Sequence, residues 1–335
     1  MGTVLYVTQP GAFVHQTHGR LRVTKGATLL QEVRLADIER VVILGGTAGL
    51  TSQAAACLME AGIETAFLSS TGRFRGWLSP AKGRGVTLRL AQFAAYSDTA
   101  KRLPLARAIV GQKIRNGDAL LARFARNHAE FDPARERARM ARALASAGSA
   151  SDIDALLGHE GDAAAAYFGA FGRMLGNGFT FSVRSRRPPR DAANALLSLG
   201  YTLLSAETTS AVAGAGLDPA LGMLHAPDEG RPSLGLDLAE EFRQPVVDRL
   251  VLHLANNRVL SPASDFEDKG PGDGFRLKAE SRRKFFLAYE ARLTEAFRLS
   301  DGGPQTCLRD CLRDQARALA RAIRDGGAYR PFVLR

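Results

Sequence analysis

The chain changes character once along its length, and that change calls for two architecturally different parts. Ahead of Trp77, short apolar runs alternate with turn residues, as strands and hairpins require. From Leu88 onward, Ala, Leu and Arg dominate and apolar residues recur at helical spacing. Between them lies Ser79-Pro80-Ala81-Lys82-Gly83-Arg84-Gly85, rich in Gly and Pro, basic and without apolar periodicity, which reads as a linker. A length of 335 residues also exceeds what one small core normally uses. The expected fold is α+β: a small N-terminal β-rich domain over 1–79, a linker over 80–87, and a larger all-helical domain over 88–335.

In the front part, strands are expected at Val4–Val7, Ala12–His15, Arg20–Val23, Thr28–Val33, Val41–Leu44, Ile63–Leu68 and Gly72–Leu78. One helix, Ser52–Ala61, is expected to be capped by Thr51 or Ser52. Gly45-Gly46-Thr47-Ala48-Gly49 precedes that helix but lacks the spacing of nucleotide-binding loops, so a tight turn explains its glycines. The rear part predicts helices at Leu103–Arg126, Arg135–Ala147, Asp152–Gly176, Ala192–Ala215, Phe242–Asn256, Ser281–Phe297 and Cys307–Arg324. Asn256–Arg276, with many Pro, Gly and Asp residues, reads as a mobile loop.

Charge narrows the partners. The sequence carries 45 basic against 34 acidic residues, a net charge of +11. Such an excess suits a phosphate backbone, though a generally solvated basic surface gives the same total. Cys57, Cys307 and Cys311 form no CxxC pair, which argues against a disulfide scaffold or a zinc ribbon. The N-terminus does not read as a signal peptide and no apolar run approaches a membrane span, so a cytoplasmic protein without membrane contact is expected.

Four residues in the rear part stand out as chemistry. Glu160 lies in a helical stretch whose apolar residues Ala164, Tyr167, Phe168 and Phe171 follow at helical steps. A carboxylate beside an apolar face needs a partner, either an ordinary salt bridge or a metal. Asp237 and Glu240 are three apart and share a helix face, where they can bind a metal or cap a helix N-terminus. His225 precedes Ala226-Pro227, where the chain must leave any helix and can turn into a cleft. Carboxylates with one imidazole suit a divalent ion. Spacing alone leaves open whether these segments converge. The basic loop Arg184-Ser185-Arg186-Arg187-Pro188-Pro189-Arg190 reads either as solvated charge or as a phosphate clamp, with Lys113, Arg115 and Asn116 as further backbone contacts.

In order, these segments resemble the integrase family of CRISPR adaptation, the first-numbered Cas proteins. The likeness rests on Lys113-Ile114-Arg115-Asn116, on Glu160-Gly161 followed by Tyr167-Phe168, and on Arg187-Pro188-Pro189-Arg190-Asp191-Ala192-Ala193-Asn194 running to Gly200-Tyr201. It continues through Gly216-Leu217-Asp218-Pro219 to His225, then Ser233 to Arg243. The resemblance implies a homodimeric, metal-dependent DNA integrase and endonuclease, its β-rich domain serving dimerisation and partner contact. Two dimers would join a small second-numbered Cas partner in a heterohexamer that inserts short double-stranded DNA fragments into the CRISPR repeat array. It implies Glu160, His225 and Glu240 as ligands of Mg²⁺ or Mn²⁺, with Asp237 as an auxiliary active-site acid. Lys113, Arg184, Arg187 and Arg190 would hold DNA backbone, with Tyr167, Asn116 and Asn194 in auxiliary roles. Tyr167 is read as packing or hydrogen bonding beside the site, not as a recombinase nucleophile.

Two other readings use the same residues: a stand-alone structure-selective nuclease acting on branched DNA in repair, and a non-catalytic DNA-binding scaffold. A zinc hydrolase is weaker, since the HExxH helix motif is absent.

Overall fold

The computed structural model describes residues 3–69, 74–78, 85–299 and 303–334. Residues 79–84 of the expected linker, and Gly72 and Arg73 at the start of the last expected front strand, lie outside the described residues. The chain forms two compact units. One is Met1–Gly83 together with Leu277–Phe286; the other is Arg84–Arg276 with Leu287–Arg335.

The first unit is built from β1 (Thr3–Val7), β2 (Phe13–Thr17), β3 (Arg20–Lys25), β4 (Thr28–Arg34), β5 (Ile38–Leu44), β6 (Gly49–Leu50), α1 (Ser52–Glu60), β7 (Glu64–Leu68) and β8 (Phe74–Leu78). They make two four-stranded sheets, ordered β1-β5-β7-β8 and β4-β3-β2-β6. In the first sheet β1, β5 and β7 run parallel and β8 returns antiparallel. The second is an antiparallel meander joined in parallel by β6, with Val14 opposite Val23 and Leu21 opposite Val33. Leu5, Val7, Val41 and Ile43 from one sheet meet Val14, Leu21 and Val23 from the other, with Leu58 of α1, in one core. The continuous apolar run Val41–Leu44 is fully buried, as an inner parallel strand demands. Thr51 is the cap of α1, its hydroxyl accepting from the Ala54 amide at 3.2 Å.

The second unit is helical: α2 (Val86–Ser97), α3 (Thr99–Asn127), α4 (Ala134–Gly148), α5 (Ile153–Phe171), α6 (Ala192–Gly214), α7 (Ser233–Glu240), α8 (Arg249–Asn256) and the short α9 (Pro262–Asp265). A ribbon of β9 (Phe266–Asp268) and β10 (Phe275–Leu277) follows, then α10 (Arg282–Thr294), whose residues up to Phe286 count with the first unit, a ribbon of β11 (Phe297–Arg298) and β12 (Gln305–Thr306), and α11 (Leu308–Asp325). Three of the long helices, α3, α5 and α6, each start on an aspartate that accepts a first-turn amide: Asp98 from Ala100, Asp152 from Ala155 and Asp191 from Asn194.

Three expected helices are shorter than their apolar periodicity; Ser281–Phe297 is one, ending at Thr294 before Phe297 joins β11. The stretch from Asp152 stops at Phe171 and tightens into a 3₁₀ turn over Gly172–Met174. The expected helix Phe242–Asn256 divides, because Pro245 cannot donate a backbone hydrogen bond; Arg243–Asp248 widens into a π-type turn before α8 begins. Asn256–Arg276, expected as a loop, carries α9 and the β9–β10 ribbon, whose Phe275 amide donates to the Pro189 carbonyl at 2.9 Å. Among the described residues no helix is long and apolar enough to cross a membrane.

Candidate active site

The four residues singled out from the sequence all belong to the second unit. Glu160 projects from α5, Asp237 and Glu240 from α7, and His225 from the irregular segment between α6 and α7. That segment is tightly held. Gln92 on α2 donates to the carbonyls of Asp218 and Leu221 and accepts from the Asp218 amide. Arg102 on α3 donates to the Met223 carbonyl at 2.8 Å, and the side chains of Met223 and Leu224 are buried. Gly222 allows the turn: a Cβ there would sit 2.6 Å from the His225 carbonyl oxygen and 2.9 Å from the Ser233 carbonyl carbon. Gly235 brings α7 against α6, since a Cβ there would come within 3.0 Å of Thr209 Cα.

Asp237 is not a cap of its own helix. It lies in the body of α7, wholly buried, and its carboxylate gathers the incoming segment. It accepts from the amides of Met223, Leu224 (2.9 Å) and His225 (3.0 Å), and its Oδ1 lies 2.7 Å from His225 Nδ1. A carboxylate only accepts, so the proton between them is on Nδ1, which leaves Nε2 as the nitrogen available to a metal. This is the arrangement in which a second carboxylate orients a histidine as a metal ligand.

Glu160 and Glu240 converge on one cation, the ammonium of Lys113 from α3. Lys113 Nζ lies 2.6 Å from Glu240 Oε2 and pairs with Glu160 Oε1. Arg243, one turn after Glu240, adds its Nε at 2.8 Å from the same Glu240 oxygen, while its guanidinium lies 4.5 Å from the centre of the Tyr201 ring. Burial pushes the Glu240 carboxyl up, but Arg243, Lys113 and His225 outweigh it and hold the group at about 2. Despite both cations, Glu240 Oε2 is buried without a hydrogen bond of sound direction. A buried acceptor that meets charge but not direction suits a non-directional ion. The donors are two carboxylate oxygens and an imidazole nitrogen, appropriate to Mg²⁺ or Mn²⁺. Among the described residues no three His, Cys, Asp or Glu side chains are gathered closely enough to hold an ion, and Lys113 stands between the two glutamates.

The other expected residues separate by exposure. Arg187 and Arg190 are exposed on the loop before α6, as is Arg186. Arg184 is turned inward: it donates to Asn194 Oδ1 (2.8 Å) and Ser198 Oγ (3.0 Å) and lies 5.4 Å from the Tyr201 ring centre. Burial lowers its guanidinium to about 10. Asn194 is buried and clamps this loop through Val183, Arg184, Ser185 and Asp191. Asn116 is buried too. Its amide nitrogen donates to the carbonyls of Glu241 and Phe332, and its oxygen accepts from Gln112 and the Leu334 amide, so the side chain ties the C-terminal segment to α3. Tyr167 donates to Asp248 Oδ2 at 2.6 Å and Tyr201 donates to Oδ1 of the same acid. Burial raises Asp248 to about 6 against the pull of these two phenols.

The sequence alone does not single out Arg243, Tyr201 or Asp248 for a role at the site. The i, i+3 spacing of Glu240 and Arg243 is the one signal that points to the first; the other two depend on tertiary contact alone. A cleft of about 230 Å³ opens beside the carboxylates, lined by Lys113, Glu160, Tyr167, Arg186, Tyr201 and Arg243 among others.

Comparison with known proteins fits this helical site and its β-rich companion to one family. The family model described as CRISPR associated protein Cas1 matches residues 5–291, and the chain belongs to that family. It is 41% identical to the CRISPR-associated endonuclease Cas1 3 of Thermus thermophilus, covering 99% of this chain and 97% of that one. Among solved structures it is similar to a Cas1 protein from Thermotoga maritima, with a TM-score of 0.82, 25% identity and coverage of 96% and 97%. It is also similar to part of a chain in a Cas6-RT-Cas1–Cas2 complex, with a TM-score of 0.84 and 25% identity over 99% of this chain and 36% of that one.

Proposed function

We propose that this chain is a metal-dependent DNA integrase and endonuclease of CRISPR spacer acquisition, joining 3′-hydroxyl ends of short duplex fragments to repeat DNA. The observation that carries the reading is the convergence of Glu160 and Glu240 on one cation position, on a unit that also holds His225 with Nδ1 committed to Asp237. Relatives named as endonucleases, and the likeness to a chain of a Cas1–Cas2 complex, support DNA and a small Cas2-type partner as its associates. A homodimer as the catalytic unit, and two such dimers in a heterohexamer, complete the proposal.

Glu160, Glu240 and His225 Nε2 would hold the ion. Bound Mg²⁺ or Mn²⁺ supplies Lewis-acid polarisation of a phosphodiester oxygen. Asp237 fixes the imidazole ring so that Nε2 is the presented nitrogen. Arg243, stacked on Tyr201, keeps one positive charge permanently at the carboxylates, and the exposed Arg186, Arg187 and Arg190 draw the DNA backbone towards the cleft. Strand transfer exchanges one phosphodiester for another: the incoming 3′-oxygen forms a P–O bond as the target 3′-oxygen leaves. No protein nucleophile is needed, and the Tyr167 hydroxyl is committed to Asp248.

Strand transfer of a short duplex into a repeat-containing plasmid tests the reading, with Mg²⁺ or Mn²⁺ and with or without the small partner. Loss of joined product in Glu160→Ala, His225→Ala and Glu240→Ala is expected. Hydrolysis of branched DNA without any joining would favour the repair nuclease, and metal-independent binding with no nicking would favour a scaffold.

A further inference from the structure

Lys113 is placed unlike a lysine that merely awaits DNA. Its side chain is 15% exposed, its ammonium lies within 2.6 Å of Glu240 Oε2, and it bonds to Glu160 as well. Glu240 is 2% exposed, so two carboxylates there would repel strongly without a cation between them. Lys113 and Arg243 together cancel the two negative charges. A divalent ion added to that set would leave the site strongly positive and would compete with Lys113 for the same oxygens.

The two cations differ in freedom. Arg243 is pinned over Tyr201 and approaches Glu240 from the next helical turn. Lys113 reaches across from α3 on a flexible four-carbon stem, and the cleft it lines gives that stem somewhere to go. We propose that Lys113 is a resident counter-cation: it neutralises Glu160 and Glu240 while no divalent ion is bound, and yields them by swinging into the cleft when one binds. This rests on the metal reading above. Arg186 lines the same cleft, so the displaced ammonium would join it there and could pair with a phosphate oxygen. Lys113 is thus a positioning residue for the two glutamates that becomes a backbone contact only once the ion is present.

The test reads ion binding and lysine reactivity, not activity. Mn²⁺ is titrated calorimetrically into wild type, Lys113→Met and Glu240→Gln after removal of metal with EDTA. Wild type should bind Mn²⁺ and Glu240→Gln should lose that binding. Lys113→Met should bind more tightly by roughly tenfold, because its carboxylates have no ammonium to displace. Its metal-free melting temperature should fall and recover on adding Mn²⁺. Separately, acetylation of Lys113 in the wild-type protein, read by mass spectrometry, should rise at least several-fold on adding Mg²⁺. This second measurement stands even where Lys113→Met does not fold. Mn²⁺ binding in wild type that depends on Glu240, with Lys113 acetylation unchanged by Mg²⁺, overturns the counter-cation role alone. So does unaltered or weaker Mn²⁺ binding by folded Lys113→Met. No Mn²⁺ binding by wild type overturns the metal reading itself.

Discussion

His225 Nδ1 lies 2.7 Å from Asp237 Oδ1, and the same carboxylate also holds the backbone amides of residues 223–225. One buried acid therefore fixes both the ring and the chain that carries it. Asp237→Asn puts an NH₂ donor against a cluster of donors. We expect it to cost about 1–3 kcal/mol of stability through a mispaired buried group. Loss of the ring's anchor should weaken Mn²⁺ binding by roughly 10–100-fold. Urea melts and calorimetry measure the two effects. Wild-type Mn²⁺ affinity in Asp237→Asn would leave the aspartate a purely structural residue.

Tyr167 follows Glu160 by about two turns of α5, close enough to be mistaken for a recombinase nucleophile. Its hydroxyl is buried and donates to Asp248, which Tyr201 also serves. Tyr167→Phe removes one of two hydrogen bonds to that acid and should cost about 1 kcal/mol of stability. Strand transfer should persist within a few-fold of wild type, while Glu160→Ala abolishes it. Joined product from Glu160→Ala but none from Tyr167→Phe would reverse these roles.

What the sequence made legible and what it hid have physical reasons. The change from strand to helix spacing is a local signal, and Val41–Leu44 and the capped α1 are where that signal places them. Glu160, with apolar residues at helical steps behind it, shows in one dimension that it needs a partner. The identity of that partner does not show, because Lys113 is 47 positions away on another helix. Asn116 looks like a backbone contact beside Lys113, yet it is buried and binds Phe332 and Leu334, more than two hundred residues on, a contact that no local spacing shows. Arg184 and Arg187 belong to one basic run, but only tertiary packing decides that Asn194 and Ser198 draw the first inward. The break at Pro245 was visible as a proline inside an apolar repeat, the pattern that should have divided the expected helix.

Glu241, next to Glu240, has different partners and is fully buried. It accepts from the Tyr329 hydroxyl and, at 2.8 Å, from the Phe332 amide; Phe242 and Phe332 stack at 4.8 Å beside it. Burial raises its carboxyl from 4.5 to about 8 against those two donors. Between these values the folded chain holds a proton that the unfolded chain has released, so stability falls as pH rises across that window. Asp248, raised from 3.8 to about 6, adds the same slope at the lower end. Glu240, held at about 2, acts oppositely: its contribution is complete above 4.5 and is lost as pH falls towards 2. The urea midpoint of the wild type should therefore decline from pH 5 to pH 8. Glu241→Gln, which has nothing to ionise, should show a clearly shallower decline. Parallel profiles for the two proteins would show that Glu241 is ionised throughout.

The arginines of the loop before α6 should divide into two kinds. Arg187 and Arg190 are exposed, whereas Arg184 is held by Asn194, Ser198 and the Tyr201 ring. Replacing either exposed arginine by alanine should weaken duplex binding evenly across sequences. Each should reduce the slope of log affinity against log salt by about 0.9, one phosphate contact's worth of released counterion. Arg184→Ala instead removes the donor to Ser198 Oγ and one of the two donors to Asn194 Oδ1, the Ser185 amide being the other, and loosens the loop at a stability cost of about 1–3 kcal/mol. Fluorescence anisotropy over a range of salt concentrations, paired with urea melts, separates the two effects. If Arg184→Ala lowered the salt slope with no loss of stability, its guanidinium would be facing the DNA and not the loop.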